Sequence, residues 1–521
     1  MDNFDPIELE LFKNIFMSIS EEMGAVLGRT ALSPNIKERK DFSCALFNPQ
    51  GETFAQGSHI PVHLGAMPLS VQASLDAVSF EKDDLVILND PYKGGTHLPD
   101  ITCISPLFIG NELVFFVANR AHHSDVGGMT PGSMPLATEI FQEGLIIPPL
   151  KIIKKGKLDR DVLNLILSNV RTPEERKGDL FAQIAANSKG KQRLEETIKK
   201  YGLKKISQYA RHIQDYAEKI LRKTIRSIPD GVYDFKDYMD NDGITEKPVK
   251  IRVKITIRGS RAYLDFSSSD AQVEGGINAN FAVTSSAVLY VFRCLVEEDI
   301  PFNTGLMNPL TIIAPKGSVV NARYPAATAG GNVETSQRIV DVILGALSKA
   351  IPERIPAASS GTMNNIAFGG FDPINQTNFT YYETIGGGMG GSSERDGLSG
   401  VHTHMTNSLN TPLEALENYL PMRISRYALR KDSGGNGRKQ GGEGIIREYE
   451  FFVPTHVSII SERRIFAPYG ILGGEEGKKG RNFLFSQRQR KILGSKENLR
   501  VCLGDILRIE TPGGGGYGKK K

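Results

Sequence analysis

The histidines of this sequence are unevenly placed, and one group of them has the residue types of a metal site. Nine histidines occur among 521 residues, and five of them fall within residues 59–123. The densest group combines His97 and Asp100, three residues apart across a proline, with the adjacent pair His122 and His123. Two imidazoles and a carboxylate are nitrogen and oxygen ligands suited to Mn, Fe or Zn, with coordination positions left for water. The pattern therefore predicts a divalent metal site at His97, Asp100 and one histidine of the pair.

The adjacent pair His122 and His123 cannot contribute both of its rings to one site. Consecutive residues of an extended chain point to opposite faces, so only one of the two histidines faces the metal. The other is expected to support a ligand from behind or to act as an acid or a base. Spacing alone leaves open which histidine has which role.

Four further histidines are candidates for lining the same cleft. His59 and His63 flank Pro61, which argues against a helix here, so we expect a loop that borders the cleft. Surface histidines on a turn are the alternative. His402 and His404 alternate along a stretch predicted to be extended, so both side chains face one side, as a second site or as part of the first. A polar strand edge is the alternative for that pair.

The loop that carries His97 follows a predicted strand. Residues 85–88 are continuously apolar, which is typical of a short buried strand. They lead into a glycine-rich loop that opens with Asn89 and Asp90. We expect Asn89 and Asp90 to line the cleft near His97.

The segment that carries the histidine pair follows a predicted strand pair. Residues 101–108 and 113–118 are both rich in strand-forming types and are joined by a tight turn at Gly110. If the strand 113–118 lies beside the strand 85–88, the two histidine-bearing loops converge on one point.

The periodicity of the whole chain changes twice and divides it into three regions. Residues 1–157 combine an amphipathic N-terminal helix with a β-rich part that holds the predicted metal site. Residues 158–227 are helical and charged, and residues 228–521 mix strands and helices with glycine-rich loops. We therefore expect an α+β protein of several layers, with a β-rich metal region, a central helical segment and a β-rich C-terminal part.

The glycine-rich stretches do not predict a nucleotide site. Residues 386–391 match the G-x-G-x-x-G pattern after a strand, but no helix with an apolar face follows, as a dinucleotide loop requires. The G-x-x-x-x-G-K-[ST] pattern does not occur. Residues 329–334 open a predicted helix and are a better candidate for an anion site, because the first N–H groups of a helix are free.

The composition gives no sign of nucleic-acid or membrane binding. Lys and Arg number 63 against 59 Asp and Glu, a net charge of +4 that is too even to imply either partner. The apolar runs are too short to span a bilayer, and the N-terminus lacks the features of a signal peptide. The four cysteines are isolated and are expected to be reduced thiols, so we expect a cytoplasmic protein.

Several motifs resemble the hydantoinase B family, and they occur in order along essentially the whole chain. They lie at residues 59–65, 89–100, 121–128, 169–173, 328–332, 402–407 and 511–516. The family includes B subunits of ATP-dependent N-methylhydantoinases, halves of 5-oxoprolinases, and large subunits of acetone and acetophenone carboxylases. In its carboxylases a His, an Asp three residues later and a second His hold a metal. The resemblance implies His97, Asp100 and His122 as these ligands, with His123 as the alternative.

The resemblance also implies a partner and a reaction. In the family a separate A-type subunit with an actin-like ATPase fold uses ATP to phosphorylate the carbonyl oxygen of the substrate. This chain is then expected to be the B-type member of a hetero-oligomer that opens a cyclic amide or imide by hydrolysis, with Asp125 or His123 as a base or a supporting residue. Two alternatives are a carboxylase that joins a ketone to activated carbon dioxide and a non-catalytic partner of the ATPase subunit.

Overall fold

Helices occupy the N-terminus, the centre and several later points of the chain. In the computed structural model, which describes residues 5–487 and 489–520, helix α1 spans Pro6–Thr30 and is capped by the carboxylate of Asp5, which accepts a hydrogen bond from the Ile7 N–H. The later helices are α2 (Pro34–Lys37), α3 (Ala66–Ala77), α4 (Arg160–Leu167), α5 (Pro173–Tyr201), α6 (Leu203–Arg226), α7 (Phe281–Cys294), α8 (Ser336–Leu347) and α9 (Leu413–Tyr419). The predicted central helical segment is thus confirmed as α4, α5 and α6. Among the described helices, none is long and apolar enough to cross a membrane.

Seven antiparallel strands form the sheet that carries the predicted metal residues. They are β1 (Phe42–Phe47), β2 (Thr53–Gln56), β3 (Leu85–Leu88), β4 (Asp100–Ile109), β5 (Glu112–His122), β6 (Leu150–Lys154) and β7 (Lys157–Leu158). Their order across the sheet is β2-β1-β5-β4-β3-β6-β7. Helices α1 and α5 pack on one face and α3 packs on the other. Because both faces are covered, β1 and β3 are buried along their whole length.

The remaining strands form three smaller sheets. They are β8 (Gly231–Met239), β9 (Val249–Arg258), β10 (Arg261–Asp265), β11 (Leu310–Ile313), β12 (Asn365–Asp372), β13 (Thr377–Glu383), β14 (Met422–Arg430), β15 (Gly444–Phe451), β16 (Thr455–Ile460), β17 (Arg481–Ser486), β18 (Gln489–Leu493), β19 (Lys496–Val501) and β20 (Ile506–Glu510). The sheet β11-β10-β9-β8 is covered by α7 and α8. The sheets β13-β12-β16-β19 and β14-β15-β20-β17-β18 share one apolar core. This mixture of helices and sheets in several layers confirms the predicted α+β class.

The glycine-rich segments of the C-terminal part pack backbone against backbone. The N–H of Gly391 donates to the carbonyl of Gly515, and the N–H of Gly514 donates to the carbonyl of Gly442. A Cβ atom on Gly388 would lie 2.0 Å from the carbonyl oxygen of Gly442, closer than any side chain tolerates. Glycine is therefore required there by the close approach of two chain segments.

Candidate metal centre

Hairpin pairing, and not adjacent loops, brings the predicted ligands together. Strands β4 and β5 are antiparallel neighbours, and Asp100 at the start of β4 lies directly opposite His122 at the end of β5. The condition considered from the sequence, that β3 lies beside β5, is not met, because β4 lies between them. His97 reaches the same point through a tight turn, in which the N–H of Asp100 donates to the carbonyl of His97 at 3.1 Å.

Three atoms of this cluster converge at nearly equal distances. The Nε2 atom of His97 lies 3.2 Å from Nδ1 of His122 and 3.3 Å from Oδ1 of Asp100, and His122 Nδ1 lies 3.4 Å from the same oxygen. Ligand atoms about 2.1 Å from a shared ion are separated by about 3.0 Å in octahedral and 3.4 Å in tetrahedral coordination. All three side chains are buried, so the donors are fixed by packing. The residues present therefore fit a divalent metal ion.

The protonation states of the cluster suit metal ligation. Burial alone would raise the pKa of Asp100, but the neighbouring His97 and His63 outweigh it and hold this pKa well below its ordinary value. Burial lowers the pKa of His122, although the carboxylate of Asp100 opposes that shift. A charged carboxylate and a neutral imidazole are the forms that bind a metal.

Two residues behind Asp100 hold its carboxylate in place. The second oxygen, Oδ2, lies 3.3 Å from Nε2 of His63 and accepts a hydrogen bond from the hydroxyl of Thr96. The other ring nitrogen of His63 lies 2.9 Å from the hydroxyl of Ser43 on β1. His63 sits on a single 3-10 turn, Pro61–His63, next to the cluster. It supports Asp100 and does not belong to the three convergent ligand atoms.

A small cavity adjoins the cluster. Its volume is about 20 Å³, which is room for one water molecule. Its walls are formed by Asp41, Ile60, Val62, His63, Asp100, His122, Asn332, Val333, Met363, Tyr382, Thr384, Met405 and Thr406. The ring of Tyr382 stacks on that of His122 with centroids 4.3 Å apart, which fixes the imidazole plane. Polar side chains, among them Asp41 and Asn332, thus border the cavity together with apolar ones.

His123 and Asp125 lie on the side of the chain that faces away from the cluster. The Nε2 atom of His123 lies 2.9 Å from Oε1 of Gln183 on α5. The carboxylate of Asp125 pairs with Arg171 at 2.9 Å and accepts hydrogen bonds from the N–H groups of Gly127 and Gly132. Both residues therefore tie the loop after β5 to its surroundings, and the structure brings neither of them to the cavity.

Three other residues predicted to line the cleft lie elsewhere. Asn89 is buried, and its side chain bonds to backbone groups, among them the Ile147 N–H at 2.7 Å. Asp90 caps the short turn that follows it, through the N–H of Tyr92. His59 lies against α1, with its Nε2 atom 3.5 Å from a carboxylate oxygen of Glu21.

The extended stretch predicted for His402 and His404 is a turn. His404 has a positive φ of 59°, in the left-handed region, so the strict alternation of faces is lost. The ring of His404 packs edge-on against Tyr290, while His402 lies near Asn410 and Arg39. Neither ring borders the cavity, although the following residues, Met405 and Thr406, do.

An internal carboxylate occupies part of the predicted anion site at residues 329–334. Glu143 accepts hydrogen bonds from the N–H groups of Thr328 and Ala329, each at 2.8 Å. Burial raises the pKa of Glu143 to about 7. The N–H groups at this point therefore hold a side chain of the protein itself.

Sequence reasoning did not find Tyr382 or Asn332 as neighbours of the site. Tyr382 comes from β13 and Asn332 from the segment before α8, both far from His122 in the chain. Tyr382 belongs to no motif, and Asn332 belongs to a motif without a metal-binding residue type. Only the packing of distant segments against the end of β5 brings them to the site. The one local signal was the run of glycines before Asn332.

Comparison with known proteins identifies similar chains. A family model described as hydantoinase B/oxoprolinase matches residues 5–520. An uncharacterised protein of Methanocaldococcus jannaschii is 44% identical over 99% of this chain and 91% of its own length. The 5-oxoprolinase 1 of Arabidopsis thaliana is 42% identical over 99% of this chain and 42% of its own length. A protein of Pseudomonas sp. named as the B-type subunit of a D-/L-hydantoinase is 31% identical over 99% of this chain and 90% of its length. The chain thus spans about two fifths of the 5-oxoprolinase that it matches.

Two solved structures share the fold. An ATP-dependent caprolactamase from Pseudomonas jessenii has a TM-score of 0.92 at 28% identity, over 99% of this chain and 92% of that chain. A nucleotide-free acetone carboxylase has the same TM-score at 19% identity, over 99% of this chain and 76% of that chain. At this lower identity, the likeness to the carboxylase shows the fold alone.

Proposed function

The chain belongs to the hydantoinase B/oxoprolinase family, and from this premise we propose that it is the B-type subunit of an ATP-dependent hydrolase that opens a cyclic amide ring. The observation that carries the proposal is the buried, convergent cluster of His97, Asp100 and His122. A scaffold that only binds an ATPase subunit has no need for three buried ligand atoms at this spacing. Relatives named as 5-oxoprolinase, hydantoinase subunit and caprolactamase support a cyclic amide as the substrate class.

The proposal assigns the use of ATP to a separate A-type subunit. The plant 5-oxoprolinase extends well beyond the two fifths of its length that this chain covers, and the Pseudomonas relative is named as a subunit. Both facts support a division of the reaction between two parts. The overall reaction consumes ATP, a cyclic amide and two water molecules, and it yields ADP, phosphate and the ring-opened amino acid. One C–N bond breaks, the carbonyl carbon gains an oxygen from water, and the ring nitrogen gains a proton.

The residues around the cluster hold the ligand atoms in a fixed arrangement. When bound by His97, Asp100 and His122, a divalent ion such as Mn, Zn or Fe supplies Lewis-acid chemistry at this point. His63 and Thr96 orient the carboxylate of Asp100, and Tyr382 fixes the ring of His122. Such orientation lowers the reorganisation needed when charge develops during the reaction.

The experiment that tests this function uses the chain assembled with its A-type partner. ADP release and products are followed with 5-oxoproline, hydantoin, N-methylhydantoin and acetone, each with and without bicarbonate. We expect a cyclic amide to be turned over without bicarbonate, with ring-opened product in step with ADP. Turnover that requires both acetone and bicarbonate would instead assign the chain to the carboxylases.

A further inference from the structure

One carboxamide on the wall of the site cavity has no partner for its oxygen. Asn332 is 3% exposed and borders the same cavity as His63, Asp100 and His122. Among the residues that the structure describes, no donor lies within hydrogen-bond distance of its Oδ1 atom. Buried polar atoms in folded proteins are nearly always paired, so this atom requires a partner.

The backbone around Asn332 is held rigidly in an unusual conformation. Residues Gly331–Thr335 form a single π-helical turn before α8, a feature that is frequent at functional sites. A Cβ atom on Gly331 would lie 1.9 Å from the carbonyl oxygen of Asn278, so this segment touches its neighbour directly. The N–H of Asn332 donates to the carbonyl of Thr328 at 3.2 Å. The backbone that carries the carboxamide is therefore fixed beside the cavity.

The cavity between Asn332 and His122 has the size and polarity of a water site. Its volume of about 20 Å³ exceeds the 10–15 Å³ or so that one water requires. The Nε2 atom of His122 is also buried without a partner in the described part of the chain, and Asp41 borders the same space. Buried waters normally make two to four hydrogen bonds, and the polar residues around this cavity can supply them.

We propose that Asn332 is a positioning residue that holds the hydrolytic water in this cavity. The Oδ1 atom accepts one hydrogen bond from that water, and a lone pair of the water oxygen then points away from Asn332. The catalytic use of this water rests on the proposed function, whereas the water site itself rests only on the cavity and on the unpartnered Oδ1 atom. In the ring-opening step the water oxygen bonds to the carbonyl carbon whose oxygen carries the phosphoryl group, the C–N bond breaks, and both protons of the water pass to the ring nitrogen. A second water then releases phosphate from the acyl phosphate that results.

Three variants of the full chain separate this role from a structural one. Asn332→Leu keeps the approximate volume and removes the acceptor, while Asn332→Asp keeps an acceptor at the same place. The matched control is Gln337→Leu, because Gln337 lies one turn further along, has a buried Oε1 without a partner among the described residues, and does not border the cavity. Thermal unfolding of each variant confirms that it folds.

Crystal structures of the four proteins at about 1.5 Å resolution read out the water directly. We expect an ordered water about 2.7–3.2 Å from Oδ1 of Asn332 in the wild type, in Asn332→Asp and in Gln337→Leu, and no water there in Asn332→Leu. A wild-type cavity without such a water, or a water that stays in place in Asn332→Leu, would overturn the proposal. This outcome does not depend on whether the complex opens cyclic amides.

Turnover of the assembled complex with 5-oxoproline adds a second readout. We expect Asn332→Leu to lower kcat for the ring-opened product about 10- to 100-fold with little change in KM, because the substrate still binds and only the water is misplaced. Asn332→Asp is expected to keep most of the wild-type kcat. Equal losses in both variants, or a change confined to KM, would contradict a water-positioning role.

Discussion

Replacing Asp100 by asparagine is the sharpest test of the metal centre, because it changes charge and almost no volume. Oδ2 of Asp100 accepts a hydrogen bond from Thr96 and lies 3.3 Å from Nε2 of His63. In the asparagine variant only the amide oxygen can accept the bond from Thr96, so it takes the position of Oδ2. The amide nitrogen then takes the place of Oδ1 and directs its N–H groups at the ring nitrogens of His97 and His122. The variant thus loses a ligand atom and gains a donor in its place.

The expected loss of metal affinity follows from this geometry. Changes in residues that only support a ligand cost about 10- to 100-fold in metal affinity. Loss of Oδ1, one of the three convergent atoms, should cost at least the upper end of that range, about 2.7 kcal/mol or more.

Calorimetric titration of the chain with Mn²⁺ and Zn²⁺, together with metal analysis after dialysis, measures this loss. The matched control is Asp125→Asn, which makes the same change at a buried aspartate that pairs with Arg171 and does not border the cavity. We expect the control to keep wild-type affinity. Equal affinity in Asp100→Asn and the wild type, or an equal loss in both variants, would refute the assignment of the ligands.

Three further predictions concern residues around the site and in the core. His123→Gln is expected to retain the wild-type metal content, since the ring bonds to Gln183, and metal analysis that shows a loss would make His123 a ligand. Arg447→Met leaves Glu383 buried without its cation and should cost about 3–5 kcal/mol in urea unfolding, whereas a change below about 1 kcal/mol would contradict this. Burial, followed by the charge of Arg39, lowers the pKa of His402 to about 4, so the folded state excludes a proton that the unfolded chain binds below about pH 6.5. The contribution of His402 to the free energy of unfolding is therefore fully present above about pH 6.5 and is lost as the pH falls towards 4. Between pH 7 and pH 5 the free energy of unfolding of the wild type should fall by about 2 kcal/mol more than that of His402→Leu. Parallel pH profiles of the two proteins would refute it.

Local patterns in the sequence were sufficient to predict several elements and the proximity of His97 to Asp100. The cap at Asp5, the strand 85–88 and the tight turn at Gly110 follow from residue types within a few positions, and all three are present. His97 and Asp100 share one turn, so their convergence also depends on local chain geometry. Pairing of β4 with β5 is local as well, since the two strands form a hairpin.

Contacts between distant segments were beyond what the sequence could predict. The order of the seven-stranded sheet places β4 between β3 and β5, and no local pattern encodes that order. Tyr382 reaches His122 only because another sheet packs against the end of β5. The turn at His404 depends on a left-handed backbone conformation that a non-glycine residue adopts under tertiary constraint.

The most direct test of the central claim compares the complex built with the wild-type chain and the complex built with His97→Ala. Both are supplied with ATP and with 5-oxoproline or hydantoin, in the absence of bicarbonate, and ADP and ring-opened product are measured together. We predict product in step with ADP for the wild type and a loss of product of at least about 100-fold for His97→Ala, because one of three ligand atoms is gone. Undiminished product formation by His97→Ala would contradict the claim that this cluster carries the ring opening.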